Sequence, residues 1–143
     1  IENNEILWQK VIDIKEGKKE YFSKLKLKEY FNKLEWHETS IAGKTNKKDL
    51  KIKSPYWASF PFESFVKIEF KENRCRVTFS NITFDGPEIQ VSSVKHKYDY
   101  KLSKESLKKG KIKNSKKTGK VLKMLNNFFE KITTDKVEKN SDW

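Results

Sequence analysis

Few side chains in this sequence stand where acid–base or nucleophilic chemistry would use them. His37 is followed by Glu38, and His96 lies close to Asp99. A histidine beside a carboxylate is the pair that general acid–base catalysis uses, because the carboxylate orients the ring and sustains its charge. Both pairs read as surface neighbours, and no catalytic residue is assigned. Cys75 is the sole cysteine. A thiol becomes a nucleophile where its surroundings favour the thiolate. Cys75 falls instead on the apolar face of an alternating segment, the setting of an inert buried thiol. Ser23-Lys24-Leu25-Lys26 and Ser92-Ser93-Val94-Lys95 both read S-x-x-K, and Lys117-Thr118-Gly119 reads K-T-G. Together these mark one class of serine-acylating active site. A chain of 143 residues is too short for that fold, and such patterns recur by chance in lysine-rich sequence. Gly110 and Gly119-Lys120 have the wrong spacing for a phosphate-binding loop. One cysteine and two histidines supply neither a disulfide framework nor a structural zinc set. The expectation is a protein that is not an enzyme and uses no metal or cofactor.

The chemistry that does stand out is charge. The chain holds 32 basic and 20 acidic residues, net +12, and only Arg74 and Arg76 are arginine. Residues 91–125 hold 12 basic and 2 acidic residues, so nearly all the excess lies between Lys95 and Lys123. The candidate polyanion-binding set begins with Lys95, Lys97, Lys101, Lys104, Lys108 and Lys109. It continues through Lys111, Lys113, Lys116, Lys117 and Lys120. Such a run attracts anionic lipid, glycan or an acidic protein, and nucleic acid less so. Arginine, whose planar fork grips phosphate, is the residue that dedicated phosphate readers favour. The bland alternative is a solvated, codon-biased surface.

Two further groups are candidates. Lys67, Lys71, Arg74 and Arg76 share the solvent face of one hairpin and form a candidate anion contact. No aromatic residue is expected among them, so base stacking is not expected there. Tyr56, Trp57, Phe60 and Phe62, with Phe65 after them, form an aromatic cluster around prolines 55 and 61. They either close one edge of the core or stand exposed as a partner or glycan patch. Two or more well-exposed rings would favour the patch.

These residues need elements to position them. Ile6 to Ile14 reads as a strand ending at Glu16-Gly17. Lys18 to Leu34 reads as a helix, with Leu27, Tyr30, Phe31 and Leu34 on one face. Tyr21, Phe22 and Leu25 make a second cluster. Trp36 to Thr45 reads as a weaker strand, and Leu50 to Lys53 as a short one. Phe65–Lys71 and Arg74–Ser80 alternate and predict a hairpin turning at Glu72-Asn73, with Asn73 taking positive φ. Its register sets 70 opposite 75, 68 opposite 77 and 66 opposite 79, and brings Glu69 to Arg76. A bulge is expected near Ser80-Asn81 and a turn at Asp85-Gly86-Pro87. His96 to Leu102 reads as a further strand, and Ser103 to Gly119 as a mobile connector or short helix. Lys120 to Thr133 reads as a helix with Thr118 as its N-cap, followed by a fraying polar tail.

The segment FVKIEFKENRCRVTFSNITF resembles the core of an uncharacterised Bacteroidetes family, a domain of unknown function with a TATA-binding-protein-like fold. That family shows a strand, a Lys-Asp-Gly-Arg-like turn and a Tyr-Thr-Phe-Thr-Asn-Ile-like strand. Lys71-Glu72-Asn73-Arg74 and Val77-Thr78-Phe79-Ser80-Asn81-Ile82 are the matching residues. The opening strand and helix, and Gly43, fit the same layout, over about residues 5–90. Glu-Asn replaces Asp-Gly, Cys75 sits inside the matched strand, and the lysine-rich segment lies outside the shared pattern. The resemblance implies no catalytic residues. It implies export to the periplasm or envelope of a Gram-negative bacterium, and a start at Ile1 fits a removed leader.

The expectation is therefore a single α+β domain over residues 1–143. It has a curved antiparallel sheet of about five strands with two helices on one face. No apolar run is long enough to cross a membrane as a helix. The expected function is a non-enzymatic, envelope-associated binding module. A nucleic-acid-binding protein and an inhibitor or immunity-type protein are the alternatives.

Overall fold

The computed structural model describes residues 5–14 and 17–134. The strand end expected at Glu16 and the tail expected after Thr134 lie outside those residues. The central hairpin follows the alternation of its side chains. β4 (Phe62–Lys71) and β5 (Arg74–Val91) pair antiparallel, with Phe70 opposite Cys75, Ile68 opposite Val77 and Val66 opposite Phe79. Slipping the register by one residue would turn this apolar set into water. Val66, Ile68, Cys75, Val77 and Phe79 are all buried. The left-handed residue of the turn is Glu72, at φ 53°, rather than Asn73. A two-residue hairpin loop can place its positive φ at the first central position alone.

The break expected near Ser80-Asn81 is a bulge. Phe65 faces Ser80 while Glu63 faces Thr83, and Asn81 takes φ 49°. The extra residue moves the buried set from Phe79 to Ile82 and Phe84. β5 then runs straight through Asp85-Gly86-Pro87, where a turn was expected. Asp85 faces Asp99 and Glu88 faces Lys97, so Gly86-Pro87 is a second bulge inside a continuous strand. Proline is tolerated there because a bulged residue needs no ladder hydrogen bond.

The length of β5 gives the sheet six strands rather than five. Its order is β1–β5–β4–β3–β2, with β6 also on β5. β1 (Trp8–Asp13) pairs with the first part of β5, and β6 (Val94–Lys101) with its last part. β2 (Phe31–His37) and β3 (Ser40–Thr45) form a hairpin in place of the single strand expected from Trp36 to Thr45. Residues 50–53 are not a strand. Between β3 and β4 the chain crosses a cis Ser54-Pro55 bond and a 3-10 turn, Tyr56–Ala58.

α1 covers Lys18–Leu27 and stops well before Leu34. Glu29, at φ 58°, ends it. Tyr21 and Leu25 are its buried residues, while Leu27 is exposed. Phe31 and Leu34 serve β2 instead, where pairing with β3 outweighs their helical spacing. Of the connector or short helix expected after β6, a short helix is present, α2 (Leu102–Ser106), followed by a small hairpin, β7 (Leu107–Lys108) and β8 (Lys111–Ile112). α3 (Lys116–Thr133) starts earlier than predicted, because Ser115 is the N-cap and accepts a hydrogen bond from the Thr118 amide at 3.1 Å. Thr118 lies inside the first turn, as the partner of that cap.

α1 and α3 pack on the same face of the sheet. Phe129 of α3 stacks on Phe79 at 4.1 Å and also meets Trp8 and Phe62. Phe22 of α1 meets Trp36, which stacks on Phe70. The Tyr21 hydroxyl donates to the Thr133 carbonyl and ties the two helices together. The other face of the central hairpin carries Lys67, Glu69, Lys71, Arg74 and Arg76.

Candidate functional site

The lysine-rich run is folded, and folding divides it. Lys95, Lys97 and Lys101 stand on β6. Lys104 is on α2, Lys108 on β7, Lys109 in the turn, and Lys111 on β8. Lys113 follows β8, and Lys116, Lys117 and Lys120 occupy the start of α3. All are exposed. Lys97 is engaged: its Nζ donates to Asp85, to Asp99 at 2.8 Å and to the Gly86 carbonyl. Lys47 holds the other oxygen of Asp85 at 2.6 Å. Those two ammonium groups hold the Asp85 carboxyl down to about 2, and the same contacts raise Lys47 and Lys97. Lys95 pairs loosely with Glu88 at 3.8 Å. Among the described residues, none of Lys101, Lys104, Lys108, Lys109, Lys111 and Lys113 has an ion-pair partner. The same holds for Lys116, Lys117 and Lys120.

Three of these lysines meet around one depression. Lys101, Lys104 and Lys109 line a volume of about 410 Å³ with Ser103, Leu107 and Gly110. A second depression of about 420 Å³ shares Lys101 and Ser103 and adds Glu5, Phe65, Ser80, Asn81 and Ile82. They meet at Lys101, the end of β6, and Ser103 of α2. Two hydrogen bonds between side chains and backbone amides brace the second. Ser103 Oγ accepts from the Ile6 amide at 2.8 Å, and the Glu5 carboxylate accepts from the Asn81 amide at 2.6 Å. Lys109 and Gly110 take φ 54° and 76°, a left-handed pair that suits a tight two-residue hairpin loop. Lys109 therefore stands on a braced turn.

The sheet-face candidates are less free. Arg76 donates through Nε and Nη2 to Glu69, at 3.2 and 2.9 Å. Arg74 lies between Lys71 on β4 and Asp13 on β1. Lys67 faces Thr78 and Ala42. An aromatic ring does stand on this face, against expectation. Phe65 is 46% exposed, faces Ser80, and has the Lys44 ammonium 5.6 Å above its ring. The signal was in the sequence: Phe65 is two residues before Lys67 and shares its face.

The aromatic cluster closes an edge of the core. Phe62 is fully buried, Trp57 packs edge-on to Phe84, and Phe60 stacks on Tyr100. Trp57, Phe60 and Phe62 are not exposed, while Tyr56 at 62% and Phe65 at 46% are, the two rings that the patch reading asks for. His96 and Asp99 are not brought together, because three residues along a strand point to opposite faces. His96 lies beside Tyr98 instead, and Asp99 reaches Lys97. His37 sits at the end of β2 opposite Ser40. Cys75 is buried, as its position predicts. Ser23, Ser92 and Lys117 fall on α1, the β5–β6 turn and α3. Among the described residues, no cluster of His, Cys, Asp and Glu is placed to hold a metal ion, and no helix is long and apolar enough to cross a membrane.

Among solved structures, the chain is similar to a TBP-like protein from Parabacteroides distasonis. The TM-score is 0.56 at 13% sequence identity, over 94% of this chain and 96% of that one. No protein-family model and no curated protein matches the chain. A likeness at this identity speaks for the fold, and function must be argued from the site. The chain has a TBP-like α+β fold.

Proposed function

We propose that this chain is a non-enzymatic, envelope-associated binding module that holds an anionic partner through its lysine-rich segment. The partner class is lipid, glycan or an acidic protein. The observation that carries this reading is the depression lined by Lys101, Lys104 and Lys109, none of which has an ion-pair partner among the described residues. Ammonium groups held around one depression repel each other, and an anion relieves that repulsion. The start of α3 supports the reading. Its first turn contains no acidic residue and carries Lys116 and Lys117. Cations there oppose the positive end of the helix dipole, so stability is given up where an anion would restore it. The reading includes membership of the exported Bacteroidetes family described above, whose expected fold the TBP-like neighbour shares.

A second reading is nucleic-acid binding, and Phe65 is the observation that favours it. An exposed ring beside Lys44 and Lys101 offers a base a stacking surface with cations for its phosphates.

The test is elution from immobilised heparin in a salt gradient, for the wild type and for Lys101→Ser, Lys104→Ser and Lys109→Ser combined. Late elution of the wild type and clearly earlier elution of the variant are expected. Identical elution would overturn the assignment of the depression. A Phe65→Ala change separates the two readings. It leaves the leading one untouched, and weakens single-stranded DNA binding by about tenfold if the second is right.

A further inference from the structure

Where β6 ends, the chain passes into α2 and then into the small hairpin. The depression there is lined by Lys101, Ser103, Lys104, Leu107, Lys109 and Gly110, three cations with no acid among them. The adjoining depression holds an acid, Glu5, but its carboxylate is engaged by the Asn81 amide. The pieces that carry the lining are tied together. Leu102 of α2 is buried in the core, and the Ser106 carbonyl at its end accepts from the Lys113 amide at 2.8 Å. That bond holds the hairpin of Lys109 against the helix of Ser103 and Lys104. Ser103 adds an independent observation. Its Oγ accepts from the Ile6 amide, which fixes the hydroxyl from behind. A serine hydroxyl also has one hydrogen to donate. Among the described residues, nothing accepts the hydrogen of Ser103.

We infer that this depression is a site for a phosphate monoester, an inference that rests on the anionic-partner reading of the lysine segment and names the group the partner presents. The donor set fixes the class. A lysine ammonium is a point charge with three rotatable donors, and no arginine fork lines the depression to match the planar edge of a carboxylate. A phosphate monoester carries close to two negative charges and three strong acceptor oxygens on one centre. Three ammonium groups and the Ser103 hydroxyl supply donors to those oxygens, and two charges offset most of the repulsion among the three cations. A sulfate ester, or a phosphodiester of a nucleic-acid backbone, carries a single charge and offsets less of it. The volume of about 410 Å³ leaves room beyond the phosphate itself, and Leu107 gives the carbon part of the ester an apolar contact. A small organic phosphate and a lipid headgroup that ends in a phosphate share this chemistry.

The test is titration calorimetry with methyl phosphate and with methyl sulfate, at low ionic strength and about pH 8, where the phosphate ester is a dianion. Four proteins are compared: wild type, the triple variant Lys101→Ser, Lys104→Ser and Lys109→Ser, and the single variants Ser103→Ala and Ser103→Thr. Circular dichroism checks the fold of each. Methyl phosphate should bind the wild type at one site, at least about tenfold tighter than methyl sulfate. That preference should shrink at about pH 5, where the ester itself loses its second charge. The triple variant should lose the binding. Ser103→Ala should weaken methyl phosphate by about tenfold, and Ser103→Thr, which keeps the hydroxyl, should restore it. Heparin elution, which charge governs, should move far less in Ser103→Ala than in the triple variant, whereas a collapsed site would move both. Equal affinity for the two esters, or wild-type affinity in Ser103→Ala, would overturn the inference. Heparin elution that still depends on the three lysines would then leave the anionic-partner reading standing, and elution indifferent to them would overturn both. Vesicles separate the two sources. Sedimentation with phosphatidic acid, reversed by methyl phosphate and absent with phosphatidylglycerol at matched charge, would assign the phosphate to a lipid. Binding of methyl phosphate without sedimentation would assign it to a soluble ligand.

Discussion

A methyl group on Gly43 would lie 2.7 Å from the Lys33 carbonyl oxygen, and one on Gly86 would lie 2.0 Å from that of Tyr98. Both glycines lie against irregular places in the neighbouring pairing. Lys33 takes φ 58° in the β2 bulge, and Gly86 is part of the bulge where β5 leaves the body. Neither role shows in composition or periodicity, since a bulge is a property of two strands together. Asp85 is a similar case. In sequence it is the first residue of an apparent turn; in the fold it holds Lys47 and Lys97 and anchors the ribbon of β5 and β6. Its carboxyl is held down to about 2 from an ordinary 3.8, so the charged form is favoured by the fold. That stabilisation is fully present above the ordinary value and is lost as the pH falls from 3.8 toward about 2. Amide-exchange protection in β6 should fall across that window in the wild type. In Asp85→Asn it should already be lower near neutral pH and show no such step. Protection that ignores both acid and the substitution would remove Asp85 from the account.

At the scale of elements, legibility depended on whether one period ruled the segment. β4 and β5 alternate with no competing signal, and their register follows from the residues alone. Residues 27–34 satisfy a helical spacing and also supply the start of β2, and only pairing with β3 decides between them. The start of α3 is hidden in sequence because its first turn, Lys116-Lys117-Thr118-Gly119, carries no large apolar residue, and the apolar stripe begins only with Val121. The cap is Ser115, and the lysines behind it face the wrong end of the dipole. Lys116→Glu should therefore raise stability by about 0.3–1 kcal/mol, read as a higher urea midpoint. The same change should bring heparin elution forward. A gain in stability with a loss of binding is the signature of residues kept for a ligand. A loss of stability would show that Lys116 has a structural role that the helix dipole does not describe.

The whole molecule is a sheet with one face spent on its core and one left to solvent, extended by a ribbon of β5 and β6 that belongs to neither. The fold class and the position of the charge were legible from sequence, because both are properties of long stretches. The site was legible only as a run of lysines. Lys97 and Lys109 look alike in that run, yet one is held by carboxylates and the other lines an open depression. Phe65 reads as part of the aromatic cluster by composition, and only its alternation with Lys67 gives away its exposed side. The central claim is that the excess charge forms a place and is not merely a total. Two variants of equal net charge separate these. In the first, Lys108, Lys109, Lys111, Lys113, Lys116 and Lys117 become Ser. In the second, Lys19, Lys26, Lys33, Lys48, Lys51 and Lys53, spread over the rest of the surface, become Ser. The measurement is the salt concentration at which each leaves heparin. The account predicts that the first elutes far earlier than the wild type and the second only slightly earlier. Equal shifts in the two variants would contradict it.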